Sequence, residues 1–138
     1  MRRGEVDRTE LDMCLGSLIA EAKLTESGFG CASRERLLRY EDAESIFDLE
    51  ALPKNSRGFG GYQLVRGLLA ASERDAHYLV LVDGRRQDLQ EQCFQVLRAT
   101  RTAEARHRLR LRTWQELAAT LPSAVQRFLE NRFGITAT

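Results

Sequence analysis

The sequence contains no apolar run approaching the roughly 18–20 residues that a membrane-spanning helix needs, so no membrane partner is expected. The first eight residues, Met1 to Arg8, are charged and lack the apolar stretch of a secretory leader. Cysteine is sparse. Cys14, Cys31 and Cys93 are odd in number, far apart and outside any Cys-x-x-Cys pair, which argues against a disulfide framework or a zinc knuckle and fits a reducing, cytoplasmic setting. Histidine is limited to His77 and His107, neither with a second histidine at ligand spacing, so both read as structural or surface residues. No phosphate-cradling glycine loop is present, because Gly28-Phe29-Gly30 and Gly58-Phe59-Gly60-Gly61 lack the Lys-Ser/Thr that follows in such loops. Lysine is nearly missing as well. Of 21 basic residues, 19 are arginine, leaving only Lys23 and Lys54. Where this chain needs a generic surface cation it uses arginine, so a lysine is informative as a compact point charge.

What remains is ordinary for a globular protein: 138 residues, 43% hydrophobic and 30% charged, enough for a single domain spanning 1–138. Net charge is only +1, but it is unevenly spread. From Arg98 to Arg112 there are six arginines against one acid, a local excess of +5, whereas Arg34 to Glu50 carries three arginines against six acids, a local −3. The basic stretch can serve as a phosphate-binding footprint; its plain alternative is a solvated strand edge.

Hydrophobic periodicity orders the elements as β-β-(loop)-α-β-α-β-α, an α/β fold with a small mixed sheet and flanking helices that starts at a β-hairpin. Leu11 to Leu15 and Leu18 to Leu24 read as paired strands across Gly16-Ser17, a type II′ loop with glycine first. Residues 25–60 read as a long irregular excursion with helical candidates at 34–40 and 42–49, a length more often functional or mobile than idle. Tyr62, Val65, Leu68 and Leu69 recur at helical spacing, and His77 to Val82 reads as a strand buried on both faces. Leu89 to Ala99 follows as a helix with Phe94, Leu97 and Val96 inward, and Arg108 to Arg112 alternates as an edge strand. Thr113 to Glu116 fits a capping box opening a helix at Trp114. After Leu121-Pro122 a last helix presents Val125, Phe128, Leu129 and Phe133, with Gly134 as its stop.

The hairpin carries the chemistry. A two-residue loop pairs Leu15 with Leu18, which places Cys14 opposite Ile19, Asp12 opposite Glu21 and Glu10 opposite Lys23. Residues two apart share a face, so Glu10, Asp12, Glu21 and Lys23 point one way and Leu18, Ala20, Ala22 and Leu24 point to the core. Like charges directly opposite each other are destabilising. A hard divalent cation held by Asp12 and Glu21 compensates, and Lys23 on the same face can orient an attacking water or stabilise developing negative charge. The plainer alternative is a hydrated hairpin in which Lys23 screens two acids.

Glu21-Ala22-Lys23 on the apolar strand Leu18 to Leu24, preceded at nine residues by Asp12, resembles the (D/E)-x-K signature of the PD-(D/E)XK nuclease superfamily. Tyr62 to Arg66 on the next helix, the strand His77 to Asp83, and the segment Leu109 to Leu117 resemble bacterial restriction-endonuclease-like members, so the likeness runs from about Glu10 to Ile135. The resemblance implies a restriction-endonuclease-like core. It implies Asp12 and Glu21 as acidic ligands of Mg²⁺ (or Mn²⁺), the Ala22 carbonyl as a further ligand, Lys23 as the catalytic lysine, and Gln63 as a helix glutamine near the active site. Arg66, one turn from Gln63, is placed to meet a phosphate, with a solvated helix face as its alternative. Leu11 stands where the family name has proline. Members also begin with a helix before the hairpin, whereas only eight or nine residues precede the first strand here; a shortened gene product, a domain of something larger and a degenerate relative all remain open.

The expected function is Mg²⁺-dependent endonucleolytic hydrolysis of DNA, with Arg66, Arg106, Arg108 and Arg110 contacting the backbone. The rival is an inactive or truncated relative that binds nucleic acid or a protein partner. No self-complementary surface is evident in the sequence, and a homodimer stays open.

Overall fold

The computed structural model describes residues 13–24 and 28–138 of the chain. Strands β1 (Met13–Leu15) and β2 (Leu18–Ala22) form the expected hairpin, with Met13, Cys14 and Leu15 paired to Ala20, Ile19 and Leu18. Gly16 takes a φ of 59° while Ser17 does not go left-handed, the combination a type II′ loop requires. A two-residue loop fixes register locally, and register here matches the sequence expectation. Glu10 and Asp12 lie outside the described residues.

The stretch expected to be irregular folds into small elements. These are β3 (Cys31–Ala32), α1 (Arg34–Leu38), α2 (Ala43–Ile46), a 3-10 turn at Leu49–Ala51, β4 (Lys54–Asn55) and β5 (Gly58–Gly60). The three strands make an antiparallel sheet in the order β3-β5-β4. Phe29, Leu37, Phe47, Leu52 and Phe59 from this stretch are buried in the main core, which is why it is ordered.

The rest of the chain runs α3 (Tyr62–Glu73), β6 (His77–Val82), α4 (Gln87–Ala99), α5 (Ala103–Arg108), β7 (Leu109–Thr113), α6 (Trp114–Ala118) and α7 (Ser123–Phe133). The larger sheet is mixed, in the order β1-β2-β6-β7: β1 is antiparallel to β2, while β2, β6 and β7 run parallel. The α/β class and the hairpin start are as expected. The capping box at α6 is present in full, with the Thr113 side chain accepting from the Glu116 amide at 3.1 Å. Gly134 ends α7 at a φ of 67°.

Several inward faces differ from expectation. Ile19, Tyr78, Val80 and Val82 face the main core under α3 and α4. Glu21 and Lys23 share the face of Ile19 and are themselves buried, whereas Leu18, Ala22 and Leu24 are only half-buried. The core therefore lies on the acid-and-lysine side of β2, because β2 sits inside the sheet and α3 packs over it. On α4 the buried stripe is Leu89, Cys93, Val96 and Ala99, and Phe94 is 45% exposed. On α7 Leu129 is buried while Val125 and Phe128 face solvent. Arg108 closes α5, a short helix that the alternating pattern did not reveal.

A smaller cluster of Ala118, Leu129 and Ile135, joined by Leu24, Trp114 and Phe133, packs at the C-terminal end of the sheet. No helix of the described residues is long and apolar enough to cross a membrane.

Gly67 decides how closely α3 approaches β6, since a Cβ there would overlap the Tyr78 ring, which is fully buried. Gly67→Ala gains helix propensity of up to about 1 kcal/mol, yet the forced overlap costs more, roughly 1–3 kcal/mol. Urea denaturation should show a net loss of stability, and an unchanged midpoint would contradict this account of the packing.

Candidate active site at the end of strand β2

Lys23 follows directly on β2, where its backbone is tied on both sides. Its amide donates to the Leu81 carbonyl at 2.8 Å, and its carbonyl accepts from the Trp114 indole at 3.0 Å. The side chain is directed to the core face, where the Nζ atom lies 3.1 Å from Glu21 Oε1 and 5.6 Å from the centre of the Phe29 ring. Both charged residues are 5% exposed. A buried charge is tolerated only when paired, and this pair is held by strand geometry, two residues apart on one face.

Lys23 opens on a cleft of about 420 Å³ lined by Phe29, Asn55, Arg57, Gln63 and Gln92, with Gly28, Gly30 and Cys31 in its floor. The loop carrying Phe29 is pinned to the start of α3, whose Gln63 and Tyr62 amides donate to the carbonyls of Phe29 and Gly30 at 2.8 and 3.3 Å. Gln63 lines the same cleft as Lys23. Among the described residues no carboxylate lines this cleft. The Oε1 atoms of Gln63 and Gln92 are buried and make no hydrogen bond. Each such atom costs about 1–3 kcal/mol when nothing donates to it.

Comparison with known families supplies the decisive observation: the family described as "Restriction Endonuclease associating with ARP" matches residues 1–134. The chain belongs to that restriction endonuclease family. No curated protein and no solved structure matches it.

Against this family background, the donor set can be tested for Mg²⁺. Mg²⁺ takes oxygen ligands, typically one or two carboxylates, and keeps several waters. Among the described residues no group of three His, Cys, Asp or Glu side chains forms a metal cage. Glu21 with the Ala22 carbonyl is an all-oxygen set of the sparse kind Mg²⁺ accepts. Asp12, the other expected ligand, lies outside the described residues.

The arginines expected on DNA are not gathered at this cleft. Arg66 lies one turn from Gln63, its guanidinium 5.5 Å from the Tyr62 ring centre. Arg106 donates to the Thr100 carbonyl at 2.7 Å. Arg108 is engaged by Asp75 at 2.8 Å and by the Ala76 carbonyl at 3.0 Å. It precedes β7, at the opposite end of the strands from Lys23, about 16 Å away at roughly 3.3 Å per residue. Arg110 pairs with Leu79, and Glu21 with Val80, so Arg110 projects from the other face of the sheet. The residues that sequence reasoning missed are Gln92, Asn55 and Arg57; no local pattern marks them, since they reach the cleft from α4 and from the β4–β5 hairpin.

Asp83, beside the site at the end of β6, is the other buried acid among the described residues, and it is already committed. Arg85 grips it through Nε and Nη2 at 3.0 and 2.6 Å, Gln115 donates to it at 2.8 Å, and the same Arg85 donates to the Phe133 carbonyl at 2.8 Å. Hydrogen bonding from Arg85, outweighing desolvation, holds the carboxyl far below its ordinary value. The Cys93 thiol goes the other way, pushed up to about 12 by burial, and is inert. Because the Asp83 value is depressed on folding, its stabilisation is complete above the ordinary value of 3.8 and is lost as pH falls below that. Asp83→Asn should lower stability at neutral pH by about 1–3 kcal/mol, and the deficit should shrink in strong acid. Urea titrations at both pH values test this, and a deficit that grows in acid would reverse the assignment.

Proposed function

We propose that this protein is a Mg²⁺-dependent DNA endonuclease of the PD-(D/E)XK type, with its chemistry at the end of β2. The observation that supports it most is the buried Lys23 ammonium, held by Glu21 at 3.1 Å and lining the cleft at the end of β2. Asp12, Glu21 and the Ala22 carbonyl would hold the ion, which when bound supplies a water of lowered pKa and neutralises charge on a phosphoryl oxygen. Lys23 orients the attacking water and stabilises the negative charge that develops on the phosphate, an effect strengthened by its low-dielectric surroundings. Phe29 covers the ammonium stem and limits competing water. Gln63 positions donors of the substrate or of the hydrated site through its free amide oxygen. Arg66 is the backbone contact closest along the chain to this cleft. The family description adds association with ARP, which we take to be a partner of this chain too.

The 3.1 Å contact also favours a second reading, a binding module in which Glu21 and Lys23 form a structural pair. The two are separable. A buried pair replaced as a whole by neutral groups of similar shape is often stability-neutral, whereas removing one partner typically costs about 3–5 kcal/mol. A Glu21→Gln/Lys23→Met double variant should therefore melt near wild type while losing nicking of supercoiled plasmid in Mg²⁺ or Mn²⁺. Lys23→Ala should lose cleavage by a factor on the order of 10² or more. Plasmid nicking by Lys23→Ala at the wild-type rate would remove the mechanism. Absence of any metal-dependent nicking by the wild type would leave the module.

A further inference from the structure

One wall of the cleft has no part in the chemistry above: the hairpin of β4 and β5. We propose that Arg57, at the tip of this hairpin, is a phosphate-gripping residue that holds the nucleic-acid backbone across the cleft from Lys23. The proposal rests on reading the cleft as a nuclease site.

Charge is the first support. Among the described residues, the charged side chains lining the cleft are Lys23, which is paired with Glu21, and Arg57. Several other cations of this chain are ion-paired. Arg34 and Lys54 share Glu50, Arg86 holds Asp88, Arg98 holds Glu91 and Arg108 holds Asp75. Arg57 is exposed, and its guanidinium makes no hydrogen bond or ion pair among the described residues. A free guanidinium presents a planar fork that matches two phosphate oxygens at once.

Placement is the second support. The tip is braced, so Arg57 has a defined address. Asn55 accepts from the Arg57 amide at 2.8 Å and donates to Cys31 Sγ at 3.4 Å, fastening the turn to β3. Gly58 adopts a φ of 117° over the Ala32 carbonyl, where a Cβ has no room. Phe59, 6% exposed, anchors the hairpin in the core between Arg34 and Lys54. The next residue outward is the two-residue loop itself, so the arginine stands at the rim and the lysine at the base. An anionic backbone laid in the cleft meets a cation on each side.

The test uses the full chain and a labelled DNA duplex, with Ca²⁺ in place of Mg²⁺ for binding and Mg²⁺ for cleavage. Arg57→Gln should weaken binding on the order of tenfold regardless of sequence, and should lower the slope of log affinity against log salt by about 0.9. In cleavage its KM should rise with kcat nearly unchanged. Arg57→Lys should keep the slope and recover part of the affinity. Arg127→Gln, an exposed arginine of α7 outside the cleft, should match wild type, as should the melting temperature of Arg57→Gln. Wild-type affinity and salt slope in Arg57→Gln would overturn the grip while leaving metal-dependent nicking, and with it the nuclease reading, intact. A wild type that never nicks but shows the Arg57-dependent slope would end the nuclease reading and keep the grip. No DNA binding by wild type would end both.

Discussion

Moving a carboxylate and an ammonium out of water together carries a penalty of several kcal/mol per ion before their attraction returns anything. Glu21 and Lys23 accept that situation at 5% exposure each, and the architecture is arranged around keeping them 3.1 Å apart. β2 is bracketed by β1 and β6, so its backbone cannot shift to hydrate either group. Lys23 is clamped from both sides of its peptide by Leu81 and Trp114. A surface hairpin bearing the same residues would gain far less from their interaction, because water would screen it.

Parallel pairing then determines what surrounds the pair. With β2, β6 and β7 running the same way, the residues after each strand gather at one end of the sheet. Lys23, Asp83 and Trp114 meet there, but with different duties. Asp83 is spent on Arg85 and Gln115 and ties the end of β6 to the last two helices. Trp114 caps the lysine's carbonyl and joins the smaller apolar cluster. Lys23 alone is turned to the cleft. Gln63 and Gln92 line the same space, and each has a buried amide oxygen without a hydrogen bond. The committed Asp83 and the cleft-lining Lys23 thus occupy neighbouring strand ends in a chain that belongs to a restriction endonuclease family.

Much of this was readable where the physics is local. The Gly16-Ser17 loop set the hairpin register because two-residue loops leave one pairing, and the Thr113 to Glu116 box marked a helix start through reciprocal hydrogen bonds. The small sheet of β3, β4 and β5 was not readable, since strands of two or three residues carry no periodicity. Phe94 and Phe128 were expected inward because large apolar residues usually are, but the helices are turned so that both are exposed, while Val96 and Leu129 are covered as expected and Cys93 joins them.

By itself the sequence determined the longer elements, the pairing of β1 with β2, and the placing of an acid and a lysine on one side of a strand, because each depends on spacing along a few residues. Tertiary structure decided that this side is the buried one, that Gln63, Gln92 and Arg57 converge on it, and that Arg108 and Arg110 belong elsewhere. Those outcomes depend on which neighbour packs over each face. That is a property of elements distant in sequence, and no local pattern encodes it.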